Sequence, residues 1–77
     1  MTPRCRIEVL HLPTGKEFFS DSSTDPKRIE EMREEVKAAA RGTLAFLGLS
    51  DVAAGAVTYI NSDVLKQCTV TLRNINA

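Results

Sequence analysis

Two stretches at opposite ends of the chain alternate apolar and polar side chains with a period of two. This constrains the fold more than any other feature. Residues 4–12, RCRIEVLHL, set Cys5, Ile7 and Val9 against Arg4, Arg6 and Glu8. Residues 67–75, QCTVTLRNI, set Cys68, Val70 and Leu72 against Thr69, Thr71 and Arg73. Successive side chains of a strand point to opposite faces, so each stretch predicts a strand with one buried and one polar face. Between them, Ile29, Met32, Val36 and Ala40 recur at the three- and four-residue steps of an amphipathic helix. A sheet covered on one side by that helix is the natural way to bury all three apolar faces.

The connecting signals fill in the order. Pro13-Thr14-Gly15 is turn chemistry, and KEFFS, residues 16–20, returns as the second arm of a hairpin. DSSTDP, residues 21–26, ends in a helix start, with Asp25 as cap and Pro26 at the first helical position. The helix has two candidate ends. Arg41-Gly42 is a C-cap signal, yet the apolar spacing runs on through Leu44 and Leu47 to a second signal at Gly48-Leu49. The longer helix, residues 26–47, is the favoured expectation. It would run roughly 33 Å, past the ~23 Å of a seven-residue strand, and overhang its sheet. The other reading makes residues 43–49 a fifth core strand. Residues 56–60 (AVTYI) predict a strand, Asn61-Ser62-Asp63 a turn, and residues 64–74 a long last strand. The expectation is an α+β class of order β-β-α-β-β. It is a small antiparallel sheet of two β-hairpins, packed on one face by a single amphipathic helix. Phe18 or Phe19, with Val57 or Tyr59, would complete the core. At 77 residues, 1–77 is one compact domain.

Several chemistries are disfavoured. His11 is the single histidine, and the two cysteines, Cys5 and Cys68, fall at inward strand positions, so neither a metal site nor an activated nucleophile is expected. Two cysteines are too few for a secreted disulfide scaffold, and a reduced, buried pair is expected. Glu30, Glu31, Glu34 and Glu35 crowd the helix, but a solvated helix face explains them, because paired-carboxylate catalysis needs a cleft. No phosphate-cradling glycine loop is present. The first ten residues carry Arg4, Arg6 and Glu8, unlike a secretory leader, and no apolar run approaches a membrane span. A cytoplasmic protein is expected, with no membrane partner, no enzymatic activity and no cofactor.

Two surfaces suggest contacts. Arg4, Arg6 and Arg73 would share the polar sheet face as a polar or anion-contact surface. Sheet faces that bind single-stranded RNA use stacking aromatics, and this one offers none. The ten basic residues are balanced by ten acidic ones, so nucleic acid ranks low as a partner. TLAFLGL, residues 43–49, holds Leu44, Phe46, Leu47 and Leu49 in seven positions. On a helix these cannot all face one small sheet, and they are the expected oligomer interface.

The strand–helix–hairpin order and the TLAFLGL segment resemble dodecins, small flavin-binding assemblies with a sheet wrapped on a helix. The resemblance is one of topology. This chain adds the KEFFS arm and has no tryptophan to stack a flavin, so no site residue carries over. The functional expectation is a homo-oligomeric binding or accessory module, its partner itself or another protein. The alternatives are a nucleic-acid-associated regulator using the arginine face, and a small-ligand carrier with its site between subunits.

Overall fold

The alternation in residues 4–12 forms the central strand, β1 (Cys5–His11), in the computed structural model, which describes residues 2–76. β2 (Lys16–Phe19) returns beside it through the Pro13-Thr14-Gly15 turn, with Glu8 opposite Phe19 and His11 opposite Lys16. The last strand, β5 (Cys68–Asn74), pairs along the other edge of β1, from Cys5 opposite Asn74 to His11 opposite Cys68. All pairing is antiparallel, and this sheet has the order β2-β1-β5. Cys5, Ile7 and Val9 are buried on one face. Cys68, Val70 and Leu72 are half-buried on it, whereas Thr69, Thr71 and Arg73 are exposed on the other.

The helix α1 (Pro26–Arg41) lies against β1 and β5 and buries Ile29 and Met32. Asp25 caps it, its carboxylate accepting from the Lys27 amide at 3.0 Å, and Pro26 opens the first turn. The helix ends at Arg41 rather than at residue 47. Gly42 takes the left-handed conformation with φ 73°, and its N–H turns back to the carbonyls of Ala38 and Ala39. Thr43 adds two further bonds to the Ala38 carbonyl, through its amide and its hydroxyl. With the last-turn carbonyls satisfied, the chain leaves the helix axis.

Residues beyond Gly42 therefore adopt the strand reading. β3 (Phe46–Asp51) and β4 (Ala56–Asn61) form a second hairpin, separate from the three-stranded sheet, with Leu47 opposite Ile60 and Leu49 opposite Thr58. The single sheet and the long last strand expected from the sequence are both revised here. Asn61 accepts from the Val64 amide at 3.0 Å and starts one helical turn, α2 (Ser62–Leu65). This turn redirects the chain, so β5 joins β1 instead of β4. The α+β class, the antiparallel hairpins and the one main helix are as expected.

The core joins these parts. Ile7, Val9, Met32, Leu47, Leu49, Ile60 and Leu65 pack as one cluster, flanked by Phe18, Val36, Leu44, Cys68, Val70 and Leu72. A short polar seam links the two sheets. The buried Ser20 hydroxyl accepts from the Ile7 amide at 2.9 Å and donates to the Asp21 carbonyl at 3.0 Å. The Asp21 amide donates to the Ser50 carbonyl at 2.7 Å, and its carboxylate accepts from the Val52 amide at 3.1 Å.

Candidate contact surfaces

The open side of the three-stranded sheet carries the arginine face. Register places Arg6 directly opposite Arg73, with Glu8 one step along on the same side. Like charges facing each other across a ladder repel, and Glu8 resolves the clash. One of its oxygens accepts from Arg6 at 2.9 Å, and the other accepts from Arg73 at 2.7 Å. The Arg73 hydrogen bond, with Arg6 adding to it, holds the Glu8 carboxyl below its ordinary range against the opposing effect of burial. Arg6 also lies over the Phe19 ring, 4.4 Å from its centroid; Phe19 is 40% exposed opposite Glu8, which corrects the expectation that this face offers no aromatic. Arg4 stands apart, donating to the Ser22 hydroxyl at 3.2 Å in the serine loop. Two of the three expected arginines are thus brought together, and both are engaged by one carboxylate. Beside them Glu8, Leu10, Glu17, Phe19, Thr69, Thr71 and Arg73 line a shallow basin of about 190 Å³. That is smaller than the ~300–1,000 Å³ of small-molecule sites.

Several of the remaining chemistry-bearing side chains have local partners, although one Glu35 oxygen is buried without one. Cys68 sits opposite His11 in the β1–β5 ladder. Burial pushes its thiol up, and it donates to the Val64 carbonyl. Both His11 ring nitrogens are within hydrogen-bond distance of neighbours, Thr14 at 2.7 Å and Gln67 at 3.0 Å. A nucleophile needs a lowered pKa or a free base beside it, and this pair has neither. Cys5 and Cys68 are both free thiols at opposite ends of the ladder. The six residue steps between their register positions span roughly 20 Å, so no bridge forms between them. Along α1, Glu30 pairs with Arg33, Glu34 with Lys37, and Glu31 and Glu35 with Arg28. Such exposed pairs contribute little to stability, ~0–1 kcal/mol each. Among the described residues no group of three or more His, Cys, Asp and Glu side chains is placed to hold a metal ion. Among the described residues no helix is long and apolar enough to cross a membrane.

The β3–β4 hairpin divides the expected interface residues. Leu47 and Leu49 are 2% exposed and belong to the core of their own chain, and Leu44 packs against that core. Phe46 is 55% exposed on the outer face of the hairpin. Val57 and Tyr59 join it there, at 54% and 69% exposure. The Phe46 and Tyr59 rings meet edge to face, with centroids 5.7 Å apart. Gly48 lies opposite Tyr59, and a Cβ at that position would come within 3.2 Å of the ring. The absent side chain is what lets the tyrosine lie across the strand. Val52, at the hairpin tip, is also exposed, at 80%.

The expectation that Val57 or Tyr59 completes the core is corrected, since both are exposed. In AVTYIN either alternation is tenable by composition, and the polar Thr58 argues for the wrong one. Thr58 turns inward opposite Leu49 because Ile60, two residues on, fills the gap opposite Leu47. The missing signal was the position of Leu47 and Leu49, which fixes β4 once β3 is recognised as a strand. No protein-family model, no curated protein and no solved structure matches this chain.

Proposed function

We propose that this chain is a non-enzymatic contact module that associates with itself, as a homodimer or larger assembly, through the outer side of the β3–β4 hairpin. The observation that carries this reading is the inverted pattern on β4. The strand turns its polar Thr58 inward and its apolar Val57 and Tyr59 outward, beside Phe46. Taking ~200 Å² per aromatic side chain, Phe46 and Tyr59 leave roughly 250 Å² exposed before the valines are added. The support is the grouping of these side chains on one strand face rather than the size of the patch, since patches of a few hundred Å² occur on ordinary monomers. Two free thiols fit a reducing, cytoplasmic setting.

The other readings rank below it. A nucleic-acid regulator needs free cationic groups for phosphate, and Glu8 already holds Arg6 and Arg73. A carrier of small ligands would need a cavity formed between copies, because the basin on the sheet face is small and the larger hollow of about 410 Å³ lies open along the charged Lys27, Glu30, Glu31 and Glu34 of α1. The test is solution mass by light scattering across a concentration series, at low and high salt. The expected result is a dimer or larger species whose formation is insensitive to salt and is lost in Phe46→Lys and Tyr59→Lys, with unchanged circular dichroism. A parent chain that stays monomeric throughout overturns the reading.

A further inference from the structure

The free edge of β4 gives the self-association a geometry. Ser50 accepts through its carbonyl from Asp21, so the Ser50 backbone faces away from β4. The Ser62 amide bonds to the Ala45 carbonyl, so that pair faces inward. Backbone groups alternate sides along an antiparallel ladder. Val57, opposite Ser50, and Tyr59, opposite Gly48, therefore turn their N–H and C=O groups away from β3. β4 pairs with β3 alone, and among the described residues nothing bonds these outward groups. The usual protections of an edge are missing as well. Residues 52–62, VAAGAVTYINS, contain no charge and no proline, the devices that keep edge strands from pairing.

We infer that two copies join β4 to β4 in antiparallel fashion about a two-fold axis at Thr58, making one four-stranded sheet across the dimer. This rests on the self-association proposed above and names its register. With the axis at Thr58, Val57 of each copy meets Tyr59 of the other. Each such pair exchanges two backbone hydrogen bonds, and an aromatic ring lies beside a β-branched side chain. A second copy suits the edge by charge. An uncharged strand meets its own image without repulsion, and the whole chain has a formal net charge of zero. The contact is made by the two β4 edges with Val57 and Tyr59, a small area that corresponds to a weak, reversible dimer.

Two measurements test the register. Val57→Pro removes the outward N–H without touching the hairpin ladder, a position where an edge strand tolerates proline. Light scattering should show association weakened about tenfold or more, since the symmetry repeats each lost bond, while circular dichroism stays that of the parent. Amide exchange followed by NMR should show the Val57 and Tyr59 amides of the parent slowing severalfold as concentration rises. If Tyr59→Lys abolishes association while Val57→Pro leaves it intact and the two amides stay unprotected, self-association stands and the edge pairing is refuted. Protection centred on Asn61 and Tyr59 with Val57 refutes the Thr58 axis in favour of one at Tyr59.

Discussion

Leu49→Ala separates a core role for the 46–51 segment from an interface role. Leu49 is 2% exposed, so nearly its whole side chain is withdrawn from water by its own chain. Truncation removes three carbon groups at ~0.8 kcal/mol each, which sets a floor near 2.4 kcal/mol. The space left among Leu47, Ile60, Val9 and Met32 does not collapse fully, and leucine truncations in cores cost about 3–5 kcal/mol as a result. A chain of 77 residues has about 4–11 kcal/mol in total. The variant therefore loses about a quarter or more of its stability. At about 4–8 °C per kcal/mol, its melting midpoint falls by at least about 12 °C. Thermal and urea unfolding followed by circular dichroism measure this, repeated at several protein concentrations and compared with Phe46→Ala. Phe46 is half exposed, and losing its ring pair with Tyr59 costs the dilute monomer no more than about 1.5 kcal/mol. The Leu49→Ala deficit should persist at the lowest concentration, whereas the Phe46→Ala deficit should grow as the protein is concentrated. If Leu49→Ala melts within about 4 °C of the parent, or is milder than Phe46→Ala in dilute solution, the register of β3 is refuted.

Two further outcomes follow from the polar contacts. Ser20→Ala leaves the buried Ile7 amide without its acceptor and should cost about 1–3 kcal/mol in urea unfolding; a neutral effect would mean that the seam is not closed by that hydroxyl. Glu8 has a folded pKa below its ordinary 4.5 because of Arg73 and then Arg6. Its contribution is complete above the unfolded value and is lost as pH falls through the folded one. Urea midpoints of the parent should drop on acidification through this window, and Glu8→Gln should flatten that part of the profile. An unchanged slope would show that the carboxylate is not held by the two arginines.

The parts of the fold written in periodicity were legible. β1, β5, the KEFFS arm, the Asp25-Pro26 cap and the helix stripe each follow from spacing and turn chemistry in their own residues. The helix end was not legible in this way, because Leu44 and Leu47 continue a helical spacing while Leu47 and Leu49 also satisfy a strand spacing. Local patterns of this kind tie, and the tie is broken by Gly42 and by what Leu47 and Leu49 touch across the core. Val57 and Tyr59 inherit that ambiguity. A strand that is apolar at nearly every position leaves its orientation to its partner, and β4 takes its orientation from β3. On the arginine face the convergence of Arg6 and Arg73 was legible from alternation. Their neutralisation by Glu8 was not, since alternation puts the acid on that face without showing that it reaches both arginines.

The pairing of β1 with β5 has a consequence for how the chain is wired rather than for how it packs. Cys5 lies opposite Asn74, and the Ile75 amide bonds to the Arg4 carbonyl at 2.8 Å. The described chain nearly closes on itself as a ring. That ladder shuts a loop of almost the full length, and closure entropy grows by only about 0.6 kcal/mol per doubling, so the arrangement costs less in stability than in search time. Joining the neighbouring ends and opening the exposed tip between Asp51 and Ala56 would preserve every strand pair. The long closure would then pass from β1–β5 to β3–β4. In this topology the folded structure and the route to it are separable.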